Sequence, residues 1–168
     1  MNKIFVFSII IACFLPFPNY IYSIVKSVSF QANCKDYLSM AADANSIVLA
    51  EKHLTTAIDY LEENNLTSGQ ARLFVRYPKN DISLWYENLK SAQYQLKDMI
   101  ADGDYTELEQ SNMLMKLRET LLDDDGTVTL PLAISLQPHG TLLLWLNVTM
   151  WTFWVAALCI GLWRLVSW

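Results

Sequence analysis

Histidine, glycine and cysteine are scarce in this chain, and each scarcity removes a class of chemistry. The two histidines, His53 and His139, stand far apart, and neither has a second histidine one helical turn away, so the paired imidazoles of a zinc hydrolase are missing. The five glycines are scattered singly. They build no phosphate-cradling loop, no dinucleotide fingerprint and no GxSxG nucleophile turn. Of the three cysteines, Cys13 and Cys159 sit in apolar stretches, which leaves Cys34 alone in the polar part and rules out an internal disulfide there. A reduced or buried thiol is the expected state of Cys34, with pairing to another chain as the alternative.

Acidic residues are absent from both ends. All 17 lie between Asp36 and Asp125; the central stretch 29–140 that contains them also holds nine of the 12 basic residues, Lys3, Lys26 and Arg164 lying outside it, for a formal charge of −8. Such a surface repels phosphate backbones and excludes nucleic acid as a partner. Internal repeats and low-complexity segments are also lacking.

What the chain does have is apolar residues, 53% of its 168, with 17% charged, on the membrane side of average. From Thr141 to Leu162 it reads TLLLWLNVTMWTFWVAALCIGL, uncharged until Arg164 and long enough to cross a hydrocarbon core about 30 Å thick as a helix. Trp145 near one end, with Trp163 and Trp168 flanking Arg164 at the other, has the placement of interfacial anchors. At the other terminus, a basic start and the run from Ile4 to Leu15 have the layout of a secretory signal. A small-x-small cleavage site at Ser27 and Ser29 lies far beyond that run, and Ile10 to Cys13 matches a lipobox only loosely. An uncleaved anchor between Lys3 and Lys26, about 33 Å if helical, is the preferred reading, with Pro16 and Pro18 kinking it against a neighbouring helix.

Between these ends the apolar spacing predicts three helices. The first covers Asn33 to Asn65, with Tyr37, Ala41, Ala44, Ile47, Val48, Leu54, Ala57, Ile58 and Leu61 on one face and small residues in its first half that admit a close neighbour. The second starts at Asn80 or Asp81 and carries Ile82, Trp85, Leu89, Ala92, Leu96 and Met99 to a turn at Asp102-Gly103-Asp104. Thr106 and Glu109 form a capping box that opens the third, which runs to about Leu122 with Leu108, Leu114, Met115, Leu117 and Leu121 inward. Arg72 to Tyr77 and the alternating stretch Val128 to Leu136 read as two short strands that pair, with Pro131 restricting the second to an edge.

The fold class expected is therefore mainly α: two transmembrane helices flank an extramembrane three-helix domain with a small two-stranded β element. Residues 1–28 form the signal-like anchor, 29–140 the acidic helical domain and 141–168 the C-terminal transmembrane helix. The long acidic domain, exportable whatever its charge, puts the middle outside and both termini in the cytoplasm, most simply in a bacterial inner membrane with the domain in the periplasm.

No residue set emerges as catalytic, cofactor-binding or metal-binding. His53 reads as a helix-surface residue. The turn Asp123-Asp124-Asp125-Gly126, set in EF-hand register, has Leu121 and Leu132 where the first and last ligands belong, so it reads as a solvated turn, as do Asp102, Asp104 and Glu107. Asn65-Leu66-Thr67 is a glycosylation sequon already explained as a helix end. Asn147, near Thr149 and Thr152 in the last span, is expected to hydrogen-bond to another helix. A metal enzyme or hydrolase would require His53 to meet Asp43 or Asp59 in one cavity. The function expected is a non-enzymatic membrane protein, needing no cofactor, whose exported domain is an interaction or assembly module touching lipid and a membrane-protein partner or itself. The alternative is an extracytoplasmic ligand-sensing module that works through a partner.

Overall fold

A computed structural model describes residues 17–69, 81–131, 134–136, 145–146 and 148–156. The chain divides into two units, Met1–Lys26 with His139–Trp168, and Ser27–Pro138. Among the described residues it is mainly helical.

The first helix, α1 (Phe17–Phe30), carries Pro18 in its first turn, where a missing N–H breaks no helical bond; Pro16 and the preceding apolar run, where a kink is expected, lie outside the described residues. A π-helical turn (Gln31–Lys35) follows, and α2 (Asp36–Ala42) continues from it. Here the expected single helix from Asn33 to Asn65 is corrected. It stops at Ala42, reverses through Asp43-Ala44-Asn45, and restarts as α3 (Ile47–Glu63), whose N-cap Ser46 accepts a bond from the Leu49 amide at 3.3 Å. The small residues do admit a close neighbour, and that neighbour is the other half of the same stretch. Ala41, Ala50 and Ala57 are fully buried, and α2 packs chiefly on α3. Val48, expected inward, is exposed.

α3 ends at Asn64 and Asn65, the latter at φ 56°, a left-handed conformation that asparagine tolerates. α4 (Ile82–Asp102) starts where expected, with the Asp81 carboxylate accepting from the amides of Ser83 at 2.9 Å and Leu84 at 3.3 Å. It stops at Gly103, whose φ of 66° suits a residue without a side chain. Thr106 and Glu109 close the expected capping box at the head of α5 (Glu107–Leu121).

The core of the Ser27–Pro138 unit joins Phe30, Cys34 and Leu38 to Leu54, Ile58 and Leu61 of α3, to Ile82, Leu89 and Leu96 of α4, and to Leu117 and Leu121 of α5. Phe30 meets Tyr60 edge-on at 6.2 Å between ring centroids, which fastens the start of the unit to the far end of α3. Leu108 and Met115, expected in this core, are exposed because they lie on the side of α5 opposite Leu117.

The strand expected over Val128 to Leu136 is also corrected, while its expected pairing falls on undescribed residues. Arg72 to Tyr77 lies outside the described residues. Val128 bridges Leu122 across the acidic turn, with Asp123 N–H donating to the Thr127 carbonyl at 2.8 Å and Thr129 N–H to that of Leu121 at 2.9 Å. The alternation then fails, since Ile134–Leu136 is a 3-10 turn in which Ile134 N–H bonds the Pro131 carbonyl. Pro131 donates nothing to a ladder, so pairing ends there. No strand occurs among the described residues.

Much of both expected spans, residues 1–16, 141–144, 147 and 157–168, lies outside the described residues. Among the described residues no helix is long and apolar enough to cross a membrane, and the 14 residues of α1 rise about 21 Å.

Candidate functional site

Two side-chain clusters, one groove and one unusual helix surface are the features that chemistry can use. The first cluster is internal. Gln93 lies among the apolar residues of α4 and is almost fully buried, and its side-chain amide donates to the Thr55 hydroxyl of α3 at 2.7 Å. That hydroxyl donates in turn to the Glu51 carboxylate at 2.7 Å, and Lys97 stands 3.7 Å from the same carboxylate at the surface. The chain of donors satisfies every member and fixes the register of α3 against α4.

The second cluster joins the same helices nearer the far end of α3. Glu62 accepts from the Tyr86 hydroxyl at 2.5 Å and from Lys90 Nζ at 2.9 Å. The Tyr86 bond first, and the Lys90 bond next, hold the Glu62 carboxyl below its usual range. Partial burial and then the bond to Glu62 raise the Tyr86 phenol, and the same carboxylate raises the Lys90 ammonium. Each shift deepens the charge state the group already holds at neutral pH. Such a triad clamps two helices and offers no group poised to exchange a proton.

The candidates singled out in the sequence do not assemble. His53 stacks at a tilt on Tyr37, 5.9 Å between centroids, and Asp59 is exposed on α3. The Asp43 carboxylate stands 3.7 Å from Arg118 of α5. Asp125 accepts from the Thr127 hydroxyl at 2.9 Å and from its amide, contacts that lower its carboxyl. Among the described residues no three His, Cys, Asp or Glu side chains gather as a metal site requires. Cys34 is fully buried, and desolvation pushes its thiol up to about 12, the inert state expected of it. Asn147 lies outside the described residues.

A half-open groove of about 170 Å³ runs between α4 and α5, lined by Asn88, Ser91, Gln95, Met113, Lys116 and Thr120 among others. Lys116 Nζ donates to Gln95 Oε1 across it at 3.0 Å.

The helix surface is the most informative feature. On α1 the exposed large residues are Tyr20, Ile21, Tyr22, Ile24, Val25 and Val28, an apolar arc of more than half the circumference with Pro18 within it and Ser27 at its edge, while Asn19, Ser23 and Lys26 form a half-buried stripe that leads to the buried Phe30. A helix folded in water shows the reverse. The helical residues near 145–156 also carry large exposed apolar side chains: Trp151 and Phe153 are 71% and 77% exposed, with Trp145, Val148 and Val155 exposed beside them, but here the half-covered residues are the apolar Met150 and Trp154, and Thr149 and Thr152 are exposed. Their hydroxyls are satisfied within the helix, Thr149 donating to the carbonyls of Trp145 and Leu146 at 3.0 Å and Thr152 to that of Thr149 at 2.7 Å.

Sequence reasoning passed over Gln93, Thr55 and the Glu62 triad. The available signal was Gln93 itself, a polar residue on the Leu89–Leu96 stripe, which calls for a buried partner. Compared with protein-family models, with curated proteins and with solved structures, the chain matches none.

Proposed function

We propose that this chain is a non-enzymatic integral membrane protein whose helical domain acts as an interaction or assembly module, either as an accessory subunit of a larger complex or as a homo-oligomeric scaffold. The observation that carries the reading is the inverted surface of α1, apolar outward and polar inward, which stabilises a helix when its surroundings are hydrocarbon and destabilises it in water. The uncharged sequence from Thr141 to Leu162 supplies a second segment of membrane-crossing length. Both termini then face the cytoplasm and the acidic domain faces the opposite side, the periplasm if the host is a bacterium. Lipid is one partner. The other is a membrane protein or a second copy, because the domain offers interaction surface and no convergent reactive groups among its described residues.

Co-purification from native membranes in mild detergent, followed by identification of what accompanies the chain, tests the reading directly. A stoichiometric companion or a defined homo-oligomer is the expected result. A monomer that captures no neighbour on crosslinking in native membranes removes it, and complete release by alkaline carbonate removes the membrane assignment beneath it.

The groove between α4 and α5, where Asn88, Ser91, Gln95 and Lys116 stand beside Ala92, Met113 and Leu117, supports a second reading, a ligand-sensing module that passes movement to a partner. A solute that raises the melting temperature of the chain in a thermal-shift screen is its expected sign, and a screen without stabilisers argues against it.

A further inference from the structure

The two helices of the Met1–Lys26 and His139–Trp168 unit each have one narrow covered stripe and a broad exposed arc, and the stripes match. On α1 the stripe is Asn19, Ser23 and Lys26; in the C-terminal helix it is Met150 and Trp154, the two half-covered residues between exposed neighbours. Both contain a step of four residues, one helical turn. The sizes are complementary: Asn19 and Ser23 are small, and Ser23 Oγ is folded back onto the Asn19 carbonyl at 2.9 Å, leaving a shallow strip for bulky side chains. We propose that these stripes face each other in an antiparallel pair within one chain, Ser23 against Met150 and Asn19 against Trp154, and that acyl chains cover the outer arcs.

The antiparallel sense rests on the reading under "Proposed function", in which the chain leaves the membrane after α1 and re-enters it near Thr141. The pairing itself follows from cost. On α1, Asn19 turned to hydrocarbon would lose hydrogen-bonding partners whereas Tyr20, Ile21 and Val25 lose nothing there, so α1 gives its polar stripe to protein; the C-terminal helix can leave Thr149 and Thr152 outward beside Trp151 and Phe153, because its own carbonyls satisfy their hydroxyls, and gives Met150 and Trp154 to the pair.

The test is paired cysteines in the full chain, in native membranes, with Cys13, Cys34 and Cys159 changed to alanine. Oxidation of the Ser23→Cys/Met150→Cys and Asn19→Cys/Trp154→Cys variants should close an intrachain disulfide about tenfold or more in excess of the outer-arc control Val25→Cys/Phe153→Cys, since the bond needs Cβ atoms about 4 Å apart. Equal yields, or disulfides formed only between chains, overturn the pairing while leaving the membrane assignment intact. Release of the same variants by alkaline carbonate sinks the membrane assignment instead. A second readout uses vesicles with brominated acyl chains. There Trp151→Phe should remove more of the lipid-quenchable emission than Trp154→Phe, and the opposite order refutes the proposal even if a cysteine variant fails to insert.

Discussion

Replacing Thr55 by valine changes the volume of α3 very little and removes one hydroxyl, yet the structure gives that change a large effect. The hydroxyl is the acceptor for the buried Gln93 amide and the donor to Glu51. Without it, Gln93 N–H groups lie in the core with no partner, at a cost of about 1–3 kcal/mol, while Glu51, partly exposed and close to Lys97, regains a bond from water. Gln93→Leu leaves Thr55 bonded to Glu51 and removes the group that needed a partner, so it should cost less than about 1 kcal/mol. The double variant should then be more stable than Thr55→Val alone, with a coupling of about 1–2 kcal/mol. Urea unfolding of the full chain in mild detergent, followed by far-ultraviolet circular dichroism with the slope held in common, measures all four corners of this cycle. If Thr55→Val costs under about 0.5 kcal/mol, or if the two changes simply add, Gln93 has another acceptor and the internal relay is wrong.

Three further outcomes follow from other contacts. With Cys13 and Cys159 replaced, Cys34 should resist a maleimide at pH 8 and react once urea unfolds the domain. Because its folded pKa is raised to about 12, its contribution to stability is intact below about pH 8.5 and declines as the pH rises toward 12, a slope that Cys34→Ala should remove; rapid labelling of the native chain contradicts this. Ser46→Ala should cost about 1 kcal/mol and Ser46→Asp should recover most of it, read by the same urea midpoint; no loss on Ser46→Ala would mean that the cap does not hold the reversal. Glu62→Gln should cost less than about 1 kcal/mol, and less still at high salt, since both partners of the ion pair are nearly half exposed. Its lowered carboxyl contributes above the ordinary glutamate range and loses that contribution as the pH falls through the lowered value, so the variant should flatten the acid limb of stability; an unchanged limb refutes the assignment.

The starts of α4 and α5 and the capping box could be read from the sequence because each depends on residues within four positions of one another. The reversal at Asp43–Ser46 was hidden because apolar spacing continues across it. Tyr37, Ala41 and Ala44 lie in step with Ile47, and only Asn45-Ser46 hinted at a restart. Leu108 and Met115 misled for a related reason: an apolar residue on a helix need not be inward, and one more turn of phase decides. Pairing between α3 and α4 through Gln93 and Thr55, 38 positions apart, depends on tertiary register that no local pattern encodes. The inverted face of α1 was present in the sequence as alternating apolar and polar arcs, but only its exposure tells which arc faces outward.

The reversal capped by Ser46 also bears on how the molecule comes into being. It places α2 and α3 against each other through contacts that close a loop of only a few residues, so their association involves little loss of chain entropy and can precede everything downstream. During synthesis this hairpin can form before α4 has been translated, giving the later helices a preformed surface that Leu38, Ala41 and Leu54 would otherwise leave open to aggregation.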